Sequence, residues 1–261
     1  MAKTKTISQN KKFEIDIARS HTVVKANELI QKSRFELSSQ EQKVILCLIS
    51  KIKPNDKEFQ EYEFEINEFC KLCGIETNNG KNYKNIKDTI KKLSDKSLWI
   101  TLDAGTEVLL RWVNTAKIDK RSGVIKLGLH EIMKPYLLEL KARFTQYELI
   151  NTLTMRSQYS IRLYELLKSH EYKGKWLVEI DKLKRLLSAE NYKLYANFKQ
   201  KVLGIAMREI NDLSDIDVEY EALKVGRKFT EIEFKIKPKG SEGSMAAWLE
   251  RTKRLNANKM R

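Results

Sequence analysis

One stretch of the chain combines an apolar helical face with basic and amide side chains on the opposite side. At 100° per residue, the apolar face is Tyr195, Phe198, Val202 and Ile205. The outward and flanking positions are then Lys193, Asn197, Lys199, Gln200, Lys201, Gly204, Met207 and Arg208. Amides pair with adenine edges, arginine and lysine pair with guanine, and flanking cations suit phosphates. The pattern predicts a helix that reads bases, in which a glycine allows close approach.

A second helical stretch has the same construction but fewer base-reading groups. Its apolar face is Tyr83, Ile86, Ile90 and Leu93, and its outward side chains are Lys81, Lys84, Asn85, Asp88 and Lys92. This composition favours contacts with the nucleic-acid backbone. A third basic group, Lys224, Arg227 and Lys228, lies in a turn between two alternating runs and suits phosphates or the minor groove. The alternative is that these are solvated lysine-rich surfaces.

Other reactive groups give weaker signals. Cys70 and Cys73 have C-x-x-C spacing, but no second pair of ligands accompanies them. Asp215, Asp217 and Glu219 alternate and could hold Mg²⁺, although the outward face of a half-buried strand explains them better. No phosphate-binding G-x-x-x-x-G-K-[ST] motif is present, and the three histidines are scattered. We therefore predict no catalytic residue, metal or cofactor.

Composition supports a polyanionic partner. The 261 residues carry a formal charge of +15, with a pI near 9.5 and 41% hydrophobic residues. This balance favours nucleic acid or an anionic membrane surface, although a generally lysine-rich protein would also show it. No apolar run approaches the roughly 18 residues of a membrane span, and an odd number of cysteines argues against a disulfide framework. The chain is predicted to be cytoplasmic.

The elements around the first helix follow the order of a winged helix. Trp176 to Ile180 alternates like a strand, and Asp181 to Leu187 is helical. After the helix that begins at Tyr195, the runs Ile216 to Leu223 and Phe229 to Ile236 form a hairpin around the basic turn. Helix, helix and basic hairpin is a winged variant of the helix-turn-helix.

The first half of the chain repeats this pattern. Residues 62–73 match residues 176–187 at an offset of 114, with Asn67 and Asp181 as predicted helix caps. The following helices match at an offset of 112, so that Tyr83, Ile86, Ile90 and Leu93 correspond to Tyr195, Phe198, Val202 and Ile205. The predicted fold class is α+β, with two tandem winged-helix domains related by an internal repeat.

Further elements are expected on local signals. Ser38 and Glu41 form a predicted capping box before an apolar helix. Residues 98–102, 108–113 and 124–129 are predicted strands of one small sheet, and residues 131–140 a helix despite Pro135. The predicted division is a disordered basic tail at 1–20, a first domain at 21–140 for backbone contacts and dimerisation, a second domain at 141–240 for sequence recognition, and a basic tail at 241–261, with turns over 238–244.

The chain resembles the RepB-like plasmid replication initiators that bind iterons, over about residues 23–237. The most specific segments are residues 144–147, 160–167, 198–203 with 209–211, and 226–229 with Phe234. The resemblance implies a non-enzymatic protein that binds direct repeats in double-stranded DNA at a plasmid origin, helps melt AT-rich DNA and recruits the host initiator and replicative helicase. It also implies a homodimer, joined through the first domain, that represses its own promoter, and a monomer active in initiation. Gln200 departs from the family, where a basic residue is common.

Two alternatives remain open from the sequence. A transcriptional repressor without a replication role would present the same DNA contacts. A DNA-nicking enzyme or tyrosine recombinase would cleave a strand through a single tyrosine.

Overall fold

A computed structural model describes residues 22–53, 55–75, 82–101, 105–140 and 143–257. The predicted N-terminal tail and the predicted outward side chain Lys81 lie outside these ranges.

The first half of the chain contains short helices and two three-stranded antiparallel sheets. The elements of this half in chain order are β1 (Thr22–Ala26), α1 (Asn27–Lys32), β2 (Ser33–Arg34), α2 (Ser39–Ile49), β3 (Glu61–Glu65), α3 (Ile66–Cys73), α4 (Asn82–Ser94), β4 (Ser97–Thr101), β5 (Glu107–Arg111), β6 (Val113–Asp119), β7 (Val124–Leu129), a 3₁₀ turn (Glu131–Met133) and α5 (Lys134–Leu137). One sheet has the order β3-β7-β6 and the other β2-β4-β5.

The elements of the second half are β8 (Phe144–Glu148), α6 (Ile150–Leu153), α7 (Gln158–His170), a 3₁₀ turn (Glu171–Lys173), β9 (Lys175–Glu179), α8 (Ile180–Leu186), α9 (Tyr195–Phe198), a π-helical segment (Lys199–Leu203), α10 (Gly204–Leu213), β10 (Ile216–Val225), β11 (Lys228–Pro238) and α11 (Ser241–Ala257). Three of these strands form an antiparallel sheet with the order β10-β11-β9. The segments α9, π and α10 are contiguous, and we refer to them together as the 195–213 helix.

The two halves share a common set of elements. In each, a strand is followed by two helices and then by a hairpin whose second strand pairs antiparallel with that first strand. In the first half, β4 and β5 of the other sheet lie between the second helix and the hairpin. Thus β3, α3, α4, β6 and β7 correspond to β9, α8, the 195–213 helix, β10 and β11. Both halves contribute to one continuous set of buried hydrophobic side chains.

Helix starts follow local hydrogen bonding. The capping box of α2 is confirmed, since Ser38 Oγ accepts from the Glu41 N–H at 3.3 Å and Glu41 Oε2 accepts from the Ser38 N–H at 2.7 Å. The predicted Asn67 cap is wrong, because α3 starts at Ile66 and the Glu65 carboxylate accepts from the Asn67 and Glu68 N–H groups. Asp181 is likewise inside α8, which starts at Ile180.

Three other expectations need correction. The runs predicted as one sheet lie in two, because buried Trp112 separates β5 from β6 and the chain changes sheet there. The helix expected over residues 131–140 is a 3₁₀ turn followed by the single turn α5, with Pro135 at its start. Turns do not extend to Ser244, since α11 begins at Ser241 and buries Ala247 and Arg251.

A buried polar cluster joins the two halves beside the β1–β8 strand pair. Lys25 Nζ and the Tyr147 hydroxyl each donate to Glu165 Oε1 at 2.6 Å. From α7, Arg162 donates to the carbonyls of Ile30 and Ser33 in the first half and of Leu186 in the second. Burying charges is tolerable here because each is paired or hydrogen-bonded.

Candidate nucleic-acid interface

The 195–213 helix presents basic and amide groups to solvent. Phe198 and Val202 are fully buried against the core. The predicted contact residues on this helix and just before it are all exposed: Lys193, Asn197, Lys199, Gln200, Lys201 and Arg208. This arrangement provides amide donors and acceptors between flanking cations, which suits base edges between phosphates.

The expected outward position of Met207 is wrong, since it is 8% exposed. The cause is a π turn, in which the Gly204 N–H donates to the Lys199 carbonyl five residues earlier. One extra residue in the turn rotates everything that follows by about 100° relative to a regular α-helix. Leu203, Ala206 and Met207 consequently face the core, and Ile205 is only partly buried.

A hairpin wing lies beside the start of this helix. Its turn is at Gly226, with a φ of 63°, and Lys224, Arg227 and Lys228 are all exposed. The ring centroids of Phe229 and Tyr195 are 4.5 Å apart, and Lys224 Nζ lies 4.6 Å from the Phe229 ring centroid. An aromatic contact therefore fixes the base of the wing to the helix, so that their cations border one surface.

In the first half, α4 exposes lysines, and its described side chains, from Tyr83 onward, include no corresponding set of exposed amides. Lys84, Asp88 and Lys92 are exposed, whereas Asn85 is half-buried and its carbonyl accepts from Thr89 Oγ1 at 2.9 Å. The lysine spacing continues at Lys87 and Lys91, two exposed cations that the pattern contained and the prediction omitted. This face is mainly a row of cations, as expected for backbone contacts.

A second basic wing, not among the predicted contact residues, lies in the β6–β7 hairpin. Exposed Lys120 and Arg121 occupy its tip. The Asp119 carboxylate accepts at 2.8 Å from Ser122 Oγ and from the Arg121 N–H, and these hydrogen bonds lower the pKa of Asp119, the Ser122 bond having the larger effect. Tyr83, the repeat counterpart of Tyr195, donates to the Lys120 carbonyl at 3.1 Å. The sequence signal that could have predicted this wing is the turn-forming stretch at residues 119–123 between two strand-like runs.

Two polar side chains fix the 195–213 helix from its protein side. The Glu209 carboxylate accepts from the backbone N–H groups of Arg156, at 3.0 and 3.2 Å, and Ser157, at 3.1 Å, at the start of α7. The Asn211 side chain donates to the Val218 carbonyl at 2.9 Å and accepts from the Val218 N–H at 2.8 Å. The helix is thereby attached both to α7 and to β10.

Groups considered for other chemistry have structural partners. Asp215 precedes β10, and its carboxylate accepts from the Tyr164 hydroxyl and Lys168 Nζ, each at 2.8 Å. Cys47, Cys70 and Cys73 are buried thiols, and burial, assisted by Glu65, raises the pKa of Cys70 to about 11.

Within the described ranges, no cluster of three or more potential metal ligands occurs. Among those same residues, no helix has the length and apolar character to span a membrane.

Two family models match this chain. A model described as initiator replication protein, WH1, matches residues 22–168, and one described as initiator Rep protein, WH2, matches residues 179–236. The chain belongs to this family of replication initiators. The match confirms the expected family and the expected pair of tandem winged-helix domains.

Relatives of this chain are known from Escherichia coli. A replication initiation protein is 28% identical over 206 residues, covering 74% of this chain and 63% of the relative. The PI protein is 29% identical over 131 residues, covering 43% of each. The chain therefore spans less than two thirds of each of these relatives. The solved structure of Pi initiator protein in complex with iteron DNA superposes with a TM-score of 0.65 at 20% identity, covering 85% of this chain and 99% of the other, which shows the shared fold.

Proposed function

We propose that this protein is a plasmid replication initiator that binds direct repeats at the origin as double-stranded DNA. The observation that carries the proposal is the exposed Asn197, Gln200 and Lys201 surface on the second helix of a winged-helix domain. Family membership supports it, as does the fold shared with Pi initiator protein, which was solved with iteron DNA.

In this proposal the two domains make different kinds of contact with DNA. The second domain reads bases through the 195–213 helix and contacts phosphates through its wing. The first domain, divided from it near residues 140–141, holds the backbone through Lys81, Lys84, Asn85 and Lys92 and carries the dimer contact. Bound protein helps open the adjacent DNA and recruits the host initiator and helicase in the cytoplasm. As a dimer it represses its own promoter, and no enzymatic step is involved.

The DNA beside the coding sequence provides the test. We expect several direct repeats of about 20 bp, each with contacts one helical turn apart, next to an AT-rich segment. Fluorescence anisotropy on one such repeat and on shuffled DNA should show preferential binding. Gln200→Ala should cost about 1–3 kcal/mol on the repeat and little on shuffled DNA. Lys84→Ala should weaken both and reduce the salt slope by about one. Equal binding of wild-type protein to both DNAs would contradict the proposal.

The competing functions give different results. A repressor without a replication role would bind its operator but fail to support a plasmid that carries only the repeats and this gene. A nicking enzyme would convert supercoiled plasmid to open circles with Mg²⁺, and a single Tyr→Phe change would abolish that conversion. We expect plasmid maintenance and no tyrosine-dependent nicking.

A further inference from the structure

The π turn in the 195–213 helix lies where the proposed base-reading residues are. It spans Lys199–Leu203 and is closed by the Gly204 N–H bond to the Lys199 carbonyl. Three consecutive side chains, Lys199, Gln200 and Lys201, are exposed in it, between buried Phe198 and buried Val202. Two consecutive buried residues, Val202 and Leu203, follow these three side chains.

The first domain provides an internal comparison. Its corresponding helix, α4, is α-helical throughout Asn82–Ser94. At the start of the two helices, buried Ile86 corresponds to buried Phe198 at an offset of 112, the offset of the sequence repeat. Beyond the π turn the buried residues match at an offset of 113, so that buried Thr89 and Ile90 correspond to buried Val202 and Leu203, whereas an offset of 112 would match Thr89 with exposed Lys201.

The same offset of 113 holds one turn later, where buried Leu93 corresponds to buried Ala206 instead of to half-buried Ile205. The 195–213 helix therefore carries one residue more than α4 between Phe198 and Leu203. The extra residue occurs in the helix that exposes Asn197 and Gln200. The lysine-rich helix α4 has no such extra residue.

Gly204 is suited to this backbone. Its conformation is helical, with φ −62° and ψ −37°, so no left-handed geometry requires glycine there. A Cβ at this position would lie 3.3 Å from the Lys199 carbonyl oxygen, the atom that accepts the π hydrogen bond. Glycine in a helix interior costs about 1 kcal/mol relative to alanine, so its presence in this exposed position needs a local cause. Contact with the π-bonded carbonyl is such a cause, and close approach of DNA is not required to explain it.

We propose that the π turn sets the base specificity of this initiator, with the extra residue placing Gln200 and Lys201 together toward the major groove and Gly204 acting as a positioning residue that accommodates the turn. The inference rests on the proposed function. The inference concerns the shape of the base-reading surface rather than which residues contact DNA. In this proposal α4, which has no π turn, contacts only the DNA backbone.

A deletion paired with a substitution tests this directly. Deleting Lys199 removes the extra residue and one cation, whereas Lys199→Ala removes the same cation and keeps the turn. Both variants should lose the same affinity for shuffled DNA. On the origin repeat, we expect the deletion to bind at least about tenfold more weakly than Lys199→Ala, the size of one lost bidentate base contact. Equal binding of the two variants to the repeat would overturn the inference, as would an equal extra loss on both DNAs.

Gly204→Ala decides the matter if the deletion variant fails to fold. We expect it to lose several-fold affinity for the repeat and to keep its affinity for shuffled DNA. Gly243→Ala in α11, whose Cβ would meet only the flexible Lys239 side chain at 3.4 Å in the closest described contacts, is the matched control. Unchanged repeat binding by Gly204→Ala would overturn the inference. Wild-type protein without preference for the repeat would overturn the proposed function, and this inference with it.

Discussion

The ring of Tyr195, in the first turn of the 195–213 helix, lies 4.5 Å from the ring of Phe229 in the wing. This contact joins the two parts of the second domain that carry the proposed DNA-binding residues. Lys224 Nζ lies 4.6 Å from the same Phe229 ring, so the position of a wing cation depends on it as well.

Replacing Phe229 with alanine should weaken DNA binding. Aromatic pairs contribute about 0.5–1.5 kcal/mol beyond area burial, and loss of this pair frees the wing. We expect a loss of about fivefold in affinity, measured by anisotropy, on both origin repeats and shuffled DNA, because the proposed partners of the wing cations are phosphates. Leu177→Ala, which removes an exposed apolar side chain on β9 of the same sheet, serves as the control. Unchanged affinity of Phe229→Ala at every salt concentration would show that the wing is not used.

Arg162 is expected to be indispensable for stability. Its guanidinium is buried, donates to carbonyls from both halves of the chain and lies 4.6 Å from the Phe35 ring centroid. Burial lowers its pKa to about 10, against the opposing effects of Glu165 and Tyr147. Arg162→Met leaves buried carbonyls without a donor and should cost at least about 3 kcal/mol in urea unfolding. Arg162→Lys should restore little of the lost stability, because lysine cannot reproduce the planar array of donors of the guanidinium group.

The exposed Arg185, on neighbouring α8, provides the comparison for that loss. Arg185→Met should change the free energy of unfolding by less than about 0.5 kcal/mol. Equal effects at the two positions would contradict the role assigned to Arg162.

Glu209 should stabilise the start of α7. Its carboxylate accepts from two backbone N–H groups there, so Glu209→Ala leaves both without that acceptor and should cost about 1–3 kcal/mol. Glu209→Gln keeps one acceptor oxygen and should cost less. Arg208→Ala, at an exposed position of the same helix, is the control in thermal unfolding. A smaller loss for alanine than for glutamine would refute this explanation.

His170 should make the protein less stable in mild acid. Its ring stacks on Trp176 at 4.9 Å, and burial, followed by Lys173 and Lys182, lowers its pKa from 6.5 to about 4. Between these values the unfolded chain binds a proton that the folded chain does not, so stability falls as pH drops below about 6.5 and levels off below about 4. The ring is partly exposed, and we therefore expect a loss of only about 1 kcal/mol between pH 7 and pH 5 from this group.

The histidine contribution can be isolated by substitution. His170→Phe keeps a ring against Trp176 and removes the titration. Its free energy of unfolding, measured in urea, should fall less than that of wild type between pH 7 and pH 5. An identical pH dependence in both proteins would assign the acid loss to other groups.

The sequence alone determined the family, the two winged-helix domains and the surface position of most proposed contacts. It could do so because alternation and helical periodicity indicate which face of each element is buried, and because the two copies of the repeat show the same apolar pattern. The capping box at Ser38 was equally readable, since its hydrogen bonds link residues three apart.

Only the tertiary structure decided the features that depend on distant residues or on a change of helical period. Met207 faces the core because a π turn interrupts the 3.6-residue periodicity on which its outward assignment rested. The contact between Tyr195 and Phe229 brings together residues from a helix and a hairpin, which no local pattern specifies. Glu209 likewise had no partner readable from the sequence, because the amides it binds, those of Arg156 and Ser157, lie just before α7 and more than fifty residues earlier in the chain. Local periodicity fixes burial within an element, whereas packing between elements fixes register and partners.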